Sequence, residues 1–405
     1  MATGGVGERI AAYRRRRGLS QAALAGLVGR SESWLSQVER GVRSVDRLSV
    51  LLDLAEVLHV KVEALTGQPW QYAPNGGRLL DDLEAVGRVF SSYAYLLDTD
   101  QPPAPMSLRV LSARVAAAHR DYQAARYREV IAELPELLTA VDVLHRTTPN
   151  GDERREMLQG YVSAYTVAAK LLTKLGAGDL ALLAADRCAT AAVDAGSLAA
   201  RGMAAYQVVC ALLRAERVRE AERLAVSMAE DIQRKASRDA PTLVSVAGAL
   251  WLIAAIIAAR RTDRSEAWDR LDRAEVLAGV LGEDTNLAWT AFGPTNVAIH
   301  RVTVAAELGD AGEALQLAVA VDPARLPEGL SSRRAQIHLD LAWAQSQRKR
   351  DAEAILHLLE AERTAPEAVR YNVMVRELVR EMLARQGRLG TSALDELAVR
   401  AGVLD

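Results

Sequence analysis

The sequence predicts an all-α chain of two unlike parts, a head of five short helices and a long body of repeated helical pairs. Three observations lead there. Half of the 405 residues are apolar, but only 4% are aromatic and Phe occurs twice, so Ala and Leu dominate and the strand formers are thin. The first seventy residues are punctuated at Gly18, Gly29, Gly41 and Gly67. From about residue 78 onward, helical periodicity restarts at a regular spacing. The length allows two or three domains, each with a sizeable core.

Charge is divided unevenly. The chain has 50 Lys+Arg against 52 Asp+Glu, which excludes a uniformly basic protein. Residues 1–68 nevertheless hold 10 basic against 7 acidic residues, leaving 40 against 45 for the rest. A compact basic head on an acidic body points to a nucleic-acid contact confined to the head.

Each element of the head has a local reason. The first helix, 8–16, stops at Gly18, which can take the left-handed conformation. Ser20 caps a second helix over 21–28, whose apolar face is Ala22, Leu24, Ala25 and Val28. Gly29 and Arg30 form a tight turn, Ser31 caps a third helix at 32–40, and Gly41 ends it. Ser44 caps a fourth helix over 45–59, and VEALTG closes with a fifth ending at Gly67. Two short helices joined by a glycine turn form a helix-turn-helix, in which the third helix of the head enters the major groove.

The stretch GERIAAYRRRRGLSQAALAGLVGRSESWLSQVERGVRSVDRLSVLLDLAEVLHVKVEALTG resembles the Cro and phage-repressor type of helix-turn-helix, the xenobiotic-response-element family. Its landmarks are RGLSQ, the LAxxVG turn, the SxVERG helix end and the closing LAEVLxVxVEAL. The resemblance implies a role for each matching residue. Glu32, Ser33 and Gln37 would face base edges, while Gln21, Trp34, Arg40, Arg43 and Arg47 would contact the DNA backbone. Gln suits adenine and Glu suits the cytosine amine, although a carboxylate at the groove-entering end also repels phosphates. Arg14 and Glu39 match the positions of a structural ion pair, and Leu35 and Val38 face the core.

Residues 68–77, with two Pro and two Gly, read as a linker, and a second break at 98–105 isolates one helix, 78–97. The expected organisation is a helix-turn-helix DNA-binding domain at 1–67, a linker with one connecting helix at 68–105, and a helical-repeat domain at 106–405. In the last, helix starts fall near 107, 153, 197, 241, 286, 333 and 367. A second helix opens in each unit with a small polar turn, and Leu183, Ala221, Ala267, Ala314 and Ala354 mark its inward register. A period near 40 is that of stacked helical hairpins and resembles the tetratricopeptide type, a TPR-like α-solenoid with lengthened helices.

A helix-turn-helix head on about 300 residues of such repeats resembles the Gram-positive regulators that sense short signalling peptides, and also actinobacterial regulators of this length. The residues expected to form a polar ligand pocket are Trp289, Asn296, His300, Arg334, His338, Tyr371 and Asn372. The first three recur at i, i+7 and i+11, on one face of an approximately continuous helix kinked at Gly293-Pro294. The alternative is that they serve as interhelix hydrogen bonds and core filler.

Other chemistries find no support. Cys188 and Cys210 lack CxxC spacing and His neighbours, so they are expected to be small buried residues, with no metal site. No phosphate-binding loop, dinucleotide fingerprint, HExxH or GxSxG occurs, so neither a cofactor nor catalysis is expected. The beginning MATGGVGERIAAYRRRRG lacks an apolar secretory run, and the uncharged stretch 240–259 is expected to be a core helix rather than a membrane span, which suggests a cytoplasmic protein. The function expected from these features is a sequence-specific transcription regulator, dimeric on a palindromic operator in double-stranded DNA, whose repeats bind a peptide or small-molecule effector. The alternative is a scaffold whose solenoid docks a protein partner and whose head only locates the complex on DNA.

Overall fold

A computed structural model describes residues 5–17, 19–43, 45, 48–58, 60, 65, 77–93, 96, 106–386 and 392–404. All secondary structure among the described residues is helical, so the chain is all-α. It divides into two compact units, Met1–Tyr72 and Ala73–Asp405.

The head contains α1 (Val6–Arg16), α2 (Gln21–Leu27), α3 (Glu32–Glu39) and α4 (Leu48–Leu58). The Ser20 hydroxyl accepts from the Ala23 amide at 3.0 Å, and Ser31 accepts from Trp34 at 3.2 Å. Gly29 and Gly41 stand at φ +62° and +70°, ending α2 and α3 in the left-handed region, where a side chain is costly. Ile10, Leu24, Leu35, Leu54, Leu58 and Leu65 are fully buried and form the core. Gly7 sets the α1–α3 approach, because a Cβ there would lie 1.9 Å from the Val38 carbonyl oxygen. The expected Gly18 stop, the Ser44 cap, Arg47 and all of the fifth helix except Leu65 lie outside the described residues.

The second unit opens with α5 (Gly77–Phe90) and continues as helical pairs: α6 (Leu108–Gln123) with α7 (Tyr127–Thr147), α8 (Asp152–Lys174) with α9 (Gly178–Asp194), and α10 (Leu198–Arg214) with α11 (Val218–Gln233). Next come α12 (Pro241–Arg260) with α13 (Arg264–Leu281), α14 (Pro294–Glu307) with α15 (Ala311–Ala318), and α16 (Ser331–Gln347) with α17 (Asp351–Thr364). A short α18 (Pro366–Arg370) leads to α19 (Val373–Gln386) and α20 (Ser392–Ala401).

The repeat is written in the turns. Ala125, Gly176, Glu216, Thr262, Gly309 and Lys349 each stand at positive φ, midway through a three-residue turn between paired helices. The amide after each donates five residues back, as in Arg217 to the Leu212 carbonyl at 2.9 Å and Asp263 to Ala258 at 3.0 Å. This is a Schellman ending, and four of the six use a residue other than glycine. Three residues into five of the six second helices sits a fully buried alanine, Ala181, Ala221, Ala267, Ala314 or Ala354, where the two helices of a pair approach; α7 carries the buried Val130 there. The register residue of the second pair is therefore Ala181. Leu183, expected in that role, is 46% exposed because it lies two residues further round the helix, on its outer face.

Each first helix packs on the next, α6 on α8, α8 on α10, α10 on α12, α12 on α14 and α14 on α16, and α6 also meets α16. The Tyr127 hydroxyl lies 3.1 Å from Ser332 Oγ, and the Arg128 amide donates to Glu367 Oε2 at 3.0 Å. The stack of inner helices thus closes on itself. Helix α12 is long and apolar enough to cross a membrane, but 83% of its most apolar stretch is buried in this unit. Helix α5, assigned from sequence to the linker, docks on the repeats through Leu83, Val86 and Phe90, with Arg187 donating to the Phe90 carbonyl at 3.0 Å.

The expected helix start near 286 is not found. Residues 282–293 form a loop with one 3-10 turn, Leu287–Trp289, and Ala288, Trp289 and Ala291 stand at φ +50°, +58° and +54°. Pro294, which lacks an amide hydrogen, takes the first position of α14 rather than kinking a longer helix. Trp289 consequently has no helical register with Asn296 and His300.

Candidate nucleic-acid interface and ligand cavity

In the head, α3 turns Leu35, Val38 and Glu39 inward and leaves Glu32 and Ser33 exposed, with Gln37 one turn beyond Ser33 on the same side and half-buried. Trp34 is half-buried, with the Arg30 guanidinium 5.6 Å from its ring centre. Arg40 and Arg43 are exposed, and Arg40 Nε donates back to the Ser36 carbonyl at 3.2 Å.

Beneath this face lies an ion-pair network. Arg14 Nε and Nη2 donate to the two Glu39 oxygens at 2.6 and 2.9 Å, and Arg14 Nη1 reaches the Leu19 carbonyl at 2.8 Å. Burial pushes the Glu39 carboxyl up, but the hydrogen bonds from Arg14 and Gln21 outweigh it and hold the group below the usual range. Gln21 Nε2 donates to Glu39 Oε2 at 2.6 Å, so the amide expected on a phosphate is committed to the core network in this state. Arg17 Nε donates to the Leu58 carbonyl at 3.0 Å, joining α1 to the end of α4.

The repeat unit holds a cavity of about 230 Å³ that is partly open to solvent. Its walls are Tyr122 and Gln123 from α6, Thr166, Lys170, Thr173 and Lys174 from α8, and Gly202, Met203, Tyr206, Gln207, Cys210 and Arg214 from α10. Val246 and Ala249 of α12, the loop residues Ala288–Ala291, and Leu330, Ser332 and Arg333 complete it. Four cations and no carboxylate face the space. Burial, with Arg333 nearby, pushes the Lys174 ammonium down to about 8, and burial does the same to Lys170. Burial also lifts the Cys210 thiol to about 12, which keeps it protonated.

The loop is pinned by contacts distant in sequence. Gln123 and Asn286 exchange two amide hydrogen bonds of 2.8 Å, and Lys170 Nζ donates to the Trp289 carbonyl at 2.9 Å. The Trp289 ring stacks on His119 at 4.7 Å with parallel planes. His119 Nε2 faces the Ser163 carbonyl at 3.0 Å, and burial holds its pKa well below the ordinary value, so the ring is neutral.

Of the seven residues expected to form a pocket, Trp289 lines this cavity and the other six are placed elsewhere. Asn296 is buried, with His300 Nδ1 2.8 Å from its carbonyl oxygen. Arg334 ties down the 323–327 turn through the carbonyls of Pro323, Leu326 and Pro327. His338 Nδ1 lies 3.4 Å from His357 Nδ1. The Tyr371 hydroxyl accepts from Arg128 Nε at 3.1 Å, and Asn372 Oδ1 accepts from the Met374 amide at 2.9 Å. The cavity cations went unnoticed in the sequence, yet one signal was there. Lys is rare, five residues in the chain, and two of them stand at i, i+4 inside the otherwise apolar run of α8.

Residues 6–66 match a family described as a helix-turn-helix domain. The head is therefore a helix-turn-helix domain, the fold of a DNA-binding module. No curated protein matches the chain. Two solved structures are similar in part. One is PlcR of Bacillus thuringiensis in complex with the peptide PapR7 and DNA, at 13% identity over 68% of this chain and 95% of that one, with a TM-score of 0.30. The other is ComR of S. thermophilus in complex with DNA and its signalling peptide ComS, at 12% identity over 94% and 99%, with a TM-score of 0.25. Superpositions this loose carry no argument about ligand or assembly.

Proposed function

We propose that the chain is a sequence-specific transcription regulator whose helix-turn-helix reads a palindromic operator as a homodimer and whose repeat unit holds a regulatory ligand, a short peptide or small metabolite. The observation that carries this reading is the head itself, a helix-turn-helix domain with the outer face of α3 open to solvent. On this reading Ser33 and Gln37 read base edges, with Glu32 beside them at the helix start. Trp34, Arg40, Arg43 and Arg47 meet the backbone, and Gln21 joins them once its amide leaves Glu39. The domain divisions at 67 and 105 belong to the same proposal.

Two heads addressing successive turns of one groove must stand about 34 Å apart. A ligand that alters the packing of the closed stack could therefore change DNA affinity by changing that spacing. The test is selection of genomic fragments by the full chain at fixed salt, with light scattering to read its mass in solution. A palindrome with half-sites about 10 bp apart, bound by a dimer, is the expected result. A monomer that enriches no sequence would overturn the proposal.

A further inference from the structure

We infer that the cavity takes a small molecule carrying two or more negative charges, a phosphate ester or a polycarboxylate, and that this molecule is the regulatory ligand. The second half rests on the proposed function above; the first stands on the cavity alone.

Charge is the first ground. Lys170, Lys174, Arg214 and Arg333 converge from three helices with no Asp or Glu among the lining residues. Elsewhere in the unit, several buried or half-buried arginines are matched by carboxylates: Arg270 with Glu222, Arg301 with Asp272 and Glu275, Arg385 with Asp351. In the cavity, Lys170 donates to the Trp289 carbonyl, while among the described residues no carboxylate pairs with any of the four cations. Lys170, Lys174 and Arg333 are half-buried and Arg214 is exposed. Cations gathered without counter-charge repel one another, the half-buried three also oppose their own desolvation, and an anion relieves both costs.

Further observations specify the guest. Gln207 is 3% exposed and lines the cavity without a hydrogen-bond partner among the described residues, so its amide offers both a donor and an acceptor to whatever enters. Tyr122, Tyr206 and Trp289 supply flat apolar walls beside the charges. The volume of about 230 Å³ lies below the roughly 300–1,000 Å³ of most ligand sites. The stack is also closed by the Tyr127–Ser332 and Arg128–Glu367 contacts, which favours a compact molecule over an extended chain. Three non-glycine residues of the wall, Ala288, Trp289 and Ala291, are held at positive φ, a conformation kept only where the surroundings impose it.

The experiment is calorimetric titration of the full chain with pyrophosphate and, separately, citrate at fixed ionic strength, using wild type and Lys174→Gln/Arg333→Gln. At least one anion should bind the wild type, and the double variant should bind about a hundredfold more weakly, about tenfold for each charged partner lost. Pyrophosphate alone would identify a phosphate ester, and citrate alone a polycarboxylate. Thermal unfolding of the ligand-free variant should show an equal or higher midpoint, because repulsion has been removed. Failure of both anions to bind, or a folded variant that binds as wild type does, overturns the ligand class. DNA affinity measured in the same samples separates the two halves. An anion that binds but leaves DNA affinity unchanged supports the ligand class and overturns only its regulatory role.

Discussion

Removing the Glu39 carboxylate should loosen the head out of proportion to one side chain. Arg14 and Glu39 have side chains only 12% and 6% exposed, and Glu39 also receives Gln21. In Glu39→Ala the guanidinium keeps only the Leu19 carbonyl, and the Gln21 amide loses its acceptor. Stranding one half of a buried pair costs about 3–5 kcal/mol, and we take about 3 because Arg14 retains one bond and some water. A domain of this size has only about 3–10 kcal/mol of stability, so that loss removes a large share of it. At about 4–8 °C per kcal/mol, the head's melting midpoint should fall by roughly 12–24 °C. Hydrogen exchange of the amides in 32–39 reads the head separately from the repeats. A matched apolar replacement, Arg14→Met/Glu39→Leu, should be much milder, because it strands no charge. The Glu39 carboxyl titrates below its unfolded value, so its contribution is full above the ordinary carboxylate range and fades as pH falls through the folded value. A Glu39→Ala loss under about 1 kcal/mol, or a double variant as damaged as the sum of its singles, would refute the reasoning.

Other outcomes follow from single contacts. Gly7→Ala forces a methyl against the Val38 carbonyl, and overpacking of about 1–3 kcal/mol outweighs the roughly 1 kcal/mol of helix propensity gained, so faster exchange in α1 and α3 is expected. Asp340 is buried between Thr303 and Gln336, and burial raises its pKa from 3.8 to about 6. The native state therefore binds this proton more tightly than the unfolded chain does, and stability falls as pH rises from about 4 through about 6. Asp340→Asn should gain up to about 3 kcal/mol over wild type between pH 4 and 7 in urea unfolding, and a flat difference would count against it. His300, pushed down by burial to about 3, acts in the opposite direction, losing stability as pH falls below its unfolded value, so the variant-minus-wild-type curve is the one to read. Thr262 stands at φ +59°, and Thr262→Gly should raise the repeat unit's stability by roughly 0.5–1 kcal/mol in the same assay.

What the sequence showed and what it hid divide along physical lines. Features set within a few residues were legible: the Ser20 and Ser31 caps, the Gly29 and Gly41 stops, and helix starts at 108, 152, 198 and 241 within one residue of expectation. The family pattern also implied the Arg14–Glu39 pair, which spans 25 residues and is formed. Register within a helix was less secure, because Ala181 and Leu183 both fit an apolar pattern and only the close approach of paired helices selects the smaller. The loop before Pro294 misled, since its apolar spacing imitates a helix while its backbone is held open by Gln123, 163 residues from its partner Asn286. The cavity is hidden for the same reason. Its cations come from α8, α10 and α16, and no spacing in the sequence records that closing the stack brings them together.

The central claim, that α3 reads sequence, is tested most directly by the affinity of the full chain for its selected operator and for unrelated DNA, comparing wild type with Ser33→Ala/Gln37→Ala at fixed salt. Losing a paired base contact costs about 1–3 kcal/mol, so the double variant should bind the operator at least about tenfold more weakly. Its affinity for unrelated DNA, set by phosphate contacts, should be unchanged. Equal losses on both DNAs, or no loss on either, would contradict the account.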